Sequence, residues 1–129
     1  MEGKGRITGH TGLLALIGSP VGHSGSPAMY NYSFEKLGFD YAYVAFDIKV
    51  EEVKAALDAM RLFHMRGCNV TMPCKTEAAK YMDELSPAAR IIGAVNTIVN
   101  EDGKLIGHMT DGEGFVGNLR DHGIEIKGK

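Results

Sequence analysis

Short apolar runs alternate with stretches of helical spacing along this chain, and that alternation restricts it to an α/β fold. Leu13-Leu14-Ala15-Leu16-Ile17 is a continuous apolar run bounded by Gly12 and Gly18. It is too short for a buried helix and reads as a buried strand. Tyr41–Ile48 is aromatic and β-branched, as strands are. Gly67–Met72 is a third strand. Between the first two, Ser26 reads as an N-cap and Pro27 as the first helical position. That helix runs to about Leu37 and stops at Gly38. Between the second and third, Val53, Ala56, Leu57, Met60 and Phe63 lie at helical spacing within Val50–Phe63.

The rest of the chain adds a short helix over Lys75–Met82 and another from Ser86-Pro87 to about Ile92. A strand follows over Ala94–Asn100, then a hairpin turn at Glu101-Asp102-Gly103 and a partner strand over Lys104–Met109. A last helix, weakened by its glycines, is predicted over Asp111–His122. The expected architecture is three-layer α/β: a mainly parallel mixed sheet, helices on both faces, and one antiparallel hairpin. The 129 residues suggest one domain, 1–129, long enough to bury a core without staples.

Several classes of partner are disfavoured. A formal net charge of −2 argues against nucleic acid, which needs a basic patch. No apolar stretch approaches the roughly 18–20 residues of a membrane span. Met1–His10 is polar and Gly-rich, without the apolar core of a signal peptide, so a cytoplasmic location is expected. Cys68 and Cys74 are read as unpaired, one a buried small apolar residue and the other a turn residue. The five histidines and the acids show no metal-ligand spacing, so no metal is expected.

In open α/β sheets, ligands bind beyond the carboxyl ends of the strands. That rule selects Gly18–Ser26, Thr71–Lys75, Asn96–Thr97 and Thr110–Asp111. Ser24 and Ser26 flank Gly25 before a helix N-terminus, where two hydroxyls, free N–H groups and the helix dipole suit a carboxylate or phosphate. The plainer reading is an ordinary cap beside an ordinary loop residue. Lys75 opens a helix, where the dipole disfavours its charged form and so suits a general base. Lysines at large are more often solvated. Asp111, after Thr110, is either an N-cap or the carboxylate that holds Lys75 and orients an alcohol. Asn69 and Asn96 are strand amides that need partners, from neighbouring loops or from a polyhydroxylated ligand. Gly112-Glu113-Gly114-Phe115-Val116-Gly117 matches the dinucleotide fingerprint in spacing only. Its preceding strand is half of a hairpin, and Asp111 would face the pyrophosphate, so it is rejected.

Taken together, Gly18-Ser19-Pro20-Val21-Gly22-His23-Ser24-Gly25-Ser26-Pro27, Asn69-Val70-Thr71-Met72-Pro73-Cys74-Lys75, Gly93-Ala94-Val95-Asn96-Thr97 and Thr110-Asp111-Gly112-Glu113-Gly114-Phe115 resemble the N-terminal, substrate-binding domain of shikimate dehydrogenases, with the quinate/shikimate branch nearest. The resemblance runs from about Leu14 to the last residue. It implies that Ser24 and Ser26 hold the substrate carboxylate and that Asn69, Thr71, Asn96 and Asp111 bind ring hydroxyls. It also implies that Lys75, paired with Asp111, is the acid/base residue. The implied reaction is reversible hydride transfer between ring C3 of shikimate or quinate and NADP(H) or NAD(H), in aromatic amino acid biosynthesis. His108-Met109 departs from the Tyr-Asn that many members carry there. The family places a Rossmann domain at about the point where Lys129 falls. The expectation is therefore a substrate half that is inactive alone, with no cofactor-binding residues of its own. Homodimerisation is left open, and a non-catalytic binding module for a small hydroxylated carboxylate is the alternative.

Overall fold

Four successive residues of the first strand, Leu14 to Ile17, are buried, so this strand must be covered on both faces and both edges. In the computed structural model, which describes residues 6–110, it occupies the interior of the sheet. This strand, β1 (Gly12–Gly18), pairs in parallel with β2 (Tyr41–Asp47) on one side and β3 (Gly67–Val70) on the other. Six strands follow the order β2-β1-β3-β5-β6-β4, with β4 at Glu84–Leu85, β5 at Thr97–Glu101 and β6 at Lys104–His108. The sheet is mixed and mainly parallel. β5 alone is reversed, running antiparallel to β3 as well as to β6. The predicted helix over Asp111–His122 lies outside the described residues.

Side chains along β1 alternate between two cores. Leu14 and Leu16 meet α1 (Ser26–Leu37) through Phe34, with Tyr43 and Val21 beside them. Ala15 and Ile17 face the other layer, α2 (Val53–Leu62), α3 (Lys75–Ala79) and α4 (Pro87–Ile92), where Leu57, Met60, Ala78 and Ala89 are buried. Helices therefore cover both faces, as predicted. Among the described residues no helix is long and apolar enough to cross a membrane.

Local signals mark most of the ends. Gly38 closes α1 at φ 78°, its N–H donating to the Phe34 carbonyl. The Ser86 hydroxyl caps α4 by accepting the Ala89 N–H at 3.2 Å. Asp102 and Gly103 both have positive φ, the type I′ geometry of a two-residue hairpin. Ser26 is not the N-cap; Gly25 is, and the Ser24 hydroxyl accepts the Ser26 N–H at 3.1 Å. Phe63 falls one residue past α2 and is 66% exposed, because a 3-10 turn (Val50–Glu52) takes up the start of the predicted helix and the α-helical part ends at Leu62. β3 and α3 end earlier than predicted, and β5 begins at Thr97 rather than Ala94.

β2 is an edge strand, and its outer backbone groups need partners. Asn31 on α1 supplies them. Its Oδ1 accepts the Tyr43 N–H at 2.9 Å and its Nδ2 donates to the Tyr43 carbonyl at 2.8 Å. Arg6 donates to the Tyr41 carbonyl nearby. At the other end of the sheet, Asn100 Nδ2 ties the hairpin to the segment after α2 by donating to the Met65 carbonyl, and its Oδ1 accepts the Gly103 N–H within the turn, both at 2.8 Å. Asp83 accepts the Leu105 N–H at 2.7 Å and pairs with Arg61.

Candidate functional site

The reversal of β5 assembles the site. β1, β3 and β6 bring their carboxyl ends to one edge of the sheet, and β5 brings its amino end there, since Asn69 lies opposite Thr97 and Thr97 opposite His108. The loop before α1, the turn before α3, Asn96-Thr97 and Thr110 thus share one rim. Ser24, Ser26, Asn69, Thr71, Lys75 and Asn96 are all half-buried there, inside enough to be held and outside enough to be reached. Asp111 lies outside the described residues, so the expected Lys75–Asp111 pair does too.

Two of the rim turns interlock. The Ser19 N–H donates to the Met72 carbonyl at 3.0 Å and the Thr71 N–H to the Ile17 carbonyl at 2.9 Å. A Cβ on Gly18 would stand 2.3 Å from Thr71 Cγ2, so only glycine lets Thr71 pack this closely. Behind the turn Cys74 is buried in the core, and burial, then the nearby Glu77, raises its thiol pKa. Cys68 is buried too, its pKa pushed up to about 12 by burial, and both thiols are free.

Ser24 and Ser26 suit an anion. Ser24 Oγ accepts the Ser26 N–H, which leaves its own O–H free to donate outward. The first residue of α3 is anchored through its backbone, its carbonyl accepting the Val95 N–H at 3.1 Å, while the Lys75 ammonium has no carboxylate partner among the described residues. α3 spans only Lys75–Ala79, so few aligned peptides stand behind Lys75 and its dipole is weaker than the sequence suggests.

The two amides are fixed by different neighbours. Asn96 grips Thr110, its Oδ1 accepting the Thr110 N–H at 3.0 Å and its Nδ2 donating to the Thr110 carbonyl. One N–H of that amide remains for a ligand. Asn69 Oδ1 accepts from the Tyr43 hydroxyl at 2.8 Å, while its Nδ2 reaches the Asn96 carbonyl and Thr97 Oγ1, each at 3.4 Å. Thr97 is the one polar residue in the described core and hydrogen-bonds Asn96 Oδ1 at 3.1 Å. Sequence reasoning missed Tyr43, and it selected Thr97 only as a strand-end position, without these contacts. The available signal was a hydroxyl on a buried strand, which must find a partner.

A cavity of about 360 Å³ lies elsewhere, beneath α2, lined by Ile17, Phe46, Leu57, Met60, Phe63 and Met65 among others. Its wall is almost wholly apolar and offers nothing to hold a hydroxylated anion. A dinucleotide would need a Gly-rich turn with free N–H groups between a parallel strand and a helix. The turn before α3 has no glycine, and the Gly-rich turn before α1 is interrupted by Pro20, which has no N–H to offer.

An open α/β sheet with hydroxyls, amides and one lysine gathered on a single rim is an arrangement suited to a small polar ligand. The chain belongs to the shikimate dehydrogenase substrate-binding domain family, whose model matches residues 16–98. It is 52% identical over 124 residues to the NADP(+) shikimate dehydrogenase of Listeria monocytogenes serotype 4b, covering 96% of this chain and 43% of that protein. A solved Listeria monocytogenes shikimate 5-dehydrogenase, in complex with shikimate and NAD, matches 97% of this chain and 43% of its own at TM-score 0.81 and 52% identity. The ligand-free 5-ketofructose reductase of a Gluconobacter species matches 88% of this chain and 41% of its own at TM-score 0.78 and 30% identity. The chain thus spans less than half the length of these relatives.

Proposed function

We propose that residues 1–129 form the substrate-binding and catalytic-lysine domain of a shikimate dehydrogenase, acting in the cytoplasm in aromatic amino acid biosynthesis. The convergence of Ser24, Ser26, Asn69, Thr71, Lys75 and Asn96 on one rim carries this reading. The Ser24 and Ser26 hydroxyls donate to the carboxylate of shikimate. Asn69, Thr71 and Asn96 take its ring hydroxyls. Lys75, steadied by Asp111, accepts the proton of the C3 alcohol as it is oxidised to the ketone of 3-dehydroshikimate, and returns it in the reverse direction. NADP or NAD, held mainly by residues other than those described, supplies the hydride acceptor. Quinate, a hydroxylated ring acid of the same kind, is the second candidate substrate. The 5-ketofructose reductase match means the fold alone does not name the substrate; the two serine hydroxyls before α1, a pair suited to a carboxylate, are what favour an acid.

Calorimetric titration with shikimate, quinate and fructose tests this. Shikimate should bind saturably, and Ser24→Ala should weaken it about tenfold or more, the loss of a hydrogen bond to a charged group. Absence of saturable binding by either acid, or equal binding of fructose, would refute the assignment. The chain alone should give no turnover with shikimate and NADP⁺.

A further inference from the structure

Tyr43 lies on β2 and Asn69 on β3, with β1 between them. The phenol reaches across Leu14 and Leu16, whose strand separates the two. Tyr30 stacks on it at 4.7 Å between ring centroids, and Asn31 grips its backbone on the outer edge. Its ring and backbone are thus both held by α1.

The direction of every hydrogen bond here follows from one fixed point. The Asn96 carbonyl can only accept, and it already takes the Val70 N–H at 2.8 Å. Asn69 must therefore turn its NH₂ end toward that carbonyl, because an oxygen there would face an oxygen. Its Oδ1 then faces the phenol, and the phenol must donate. With its proton spent on Asn69, the phenol oxygen can only accept further bonds. The bonds run one way, from Tyr43 to Asn69 to the Asn96 carbonyl. The Asn69 NH₂ contacts, both at 3.4 Å, are long, which leaves that group ready to donate to a ligand hydroxyl.

We infer that Tyr43 is a positioning residue of this site, setting Asn69 as a donor to a ring hydroxyl. The ligand part of this inference rests on the proposed binding of a hydroxylated ring acid. Tyr43 itself need not touch the ligand.

The test is nuclear magnetic resonance on wild type, Tyr43→Phe and Ser26→Ala, each titrated with shikimate, with melting temperature measured alongside. Tyr43→Phe keeps the stacked ring and removes only the donor. It should shift the Asn69 side-chain amide resonances in the free protein and weaken shikimate about five- to tenfold, the worth of one lost orienting hydrogen bond. Ser26→Ala should weaken shikimate while leaving the Asn69 amide where it is in wild type. A merely structural tyrosine would lower the melting temperature of Tyr43→Phe with affinity within twofold of wild type, and that result overturns the inference. If wild type binds neither shikimate nor quinate, the proposed function falls, and the free-protein spectra decide this one. An Asn69 amide unmoved in Tyr43→Phe overturns the directed chain, and a shifted one upholds it.

Discussion

Asn31→Ala should destabilise this domain more than a change at a half-buried helix position ordinarily does. Asn31 acts as a substitute neighbouring strand, one amide matching both the N–H and the carbonyl of Tyr43 at 2.9 and 2.8 Å. A typical hydrogen bond contributes about 1 kcal/mol net, but a buried group left unpaired costs about 1–3 kcal/mol. Tyr43 is 1% exposed, so water cannot readily replace both bonds. The expected loss is about 2–4 kcal/mol, a large fraction of the roughly 5–15 kcal/mol that holds a domain together. In urea unfolding that corresponds to a midpoint lower by roughly 1–2 M, with the slope unchanged. Asn31→Asp should fall between wild type and Asn31→Ala. It keeps the acceptor for the Tyr43 N–H but sets a carboxylate against the Tyr43 carbonyl, partly offset by Arg6, whose Nη2 lies 3.3 Å from Oδ1. A loss below about 0.5 kcal/mol for Asn31→Ala would mean that the edge is effectively solvated and that the pairing argument is wrong.

Gly18→Ala should destabilise by about 2–3 kcal/mol and shift the Thr71 resonances, because its Cβ would overlap Thr71 Cγ2 and the φ of 152° disfavours a side chain; an unchanged melting temperature refutes this. Asp83 is held below its ordinary pKa first by the Leu105 N–H and then by Arg61. A depressed carboxyl stabilises the fold above its unfolded value and loses that contribution as pH falls through its folded one. Asp83→Asn should therefore be less stable than wild type at pH 7, with the gap closing below about pH 4. Urea midpoints across pH measure it, and a constant gap would sink the linkage.

Strand–helix alternation made much of the fold readable. The Ser86 cap, the Gly38 stop and the Asp102-Gly103 turn depend on single residues acting locally, and each stands where the sequence places it. The direction of β5 did not follow, because which free edge a strand takes is decided by distant pairings. β4, a two-residue strand, has no periodicity to read. The residues gathered on the rim were visible as polar groups at strand ends. Tyr43 was not, since an aromatic in a strand reads as core and only the sheet order shows that its hydroxyl spans β1 to reach Asn69.

The reversed strand has a practical consequence. By turning back at Asp102-Gly103, β5 and β6 place their connection at the end of the sheet opposite the rim, and the Asp102 side chain there is exposed. A fluorophore or surface tether attached at that turn would hold the molecule by its far pole. Ligand entry could then be followed on an immobilised protein without anything standing in front of the rim.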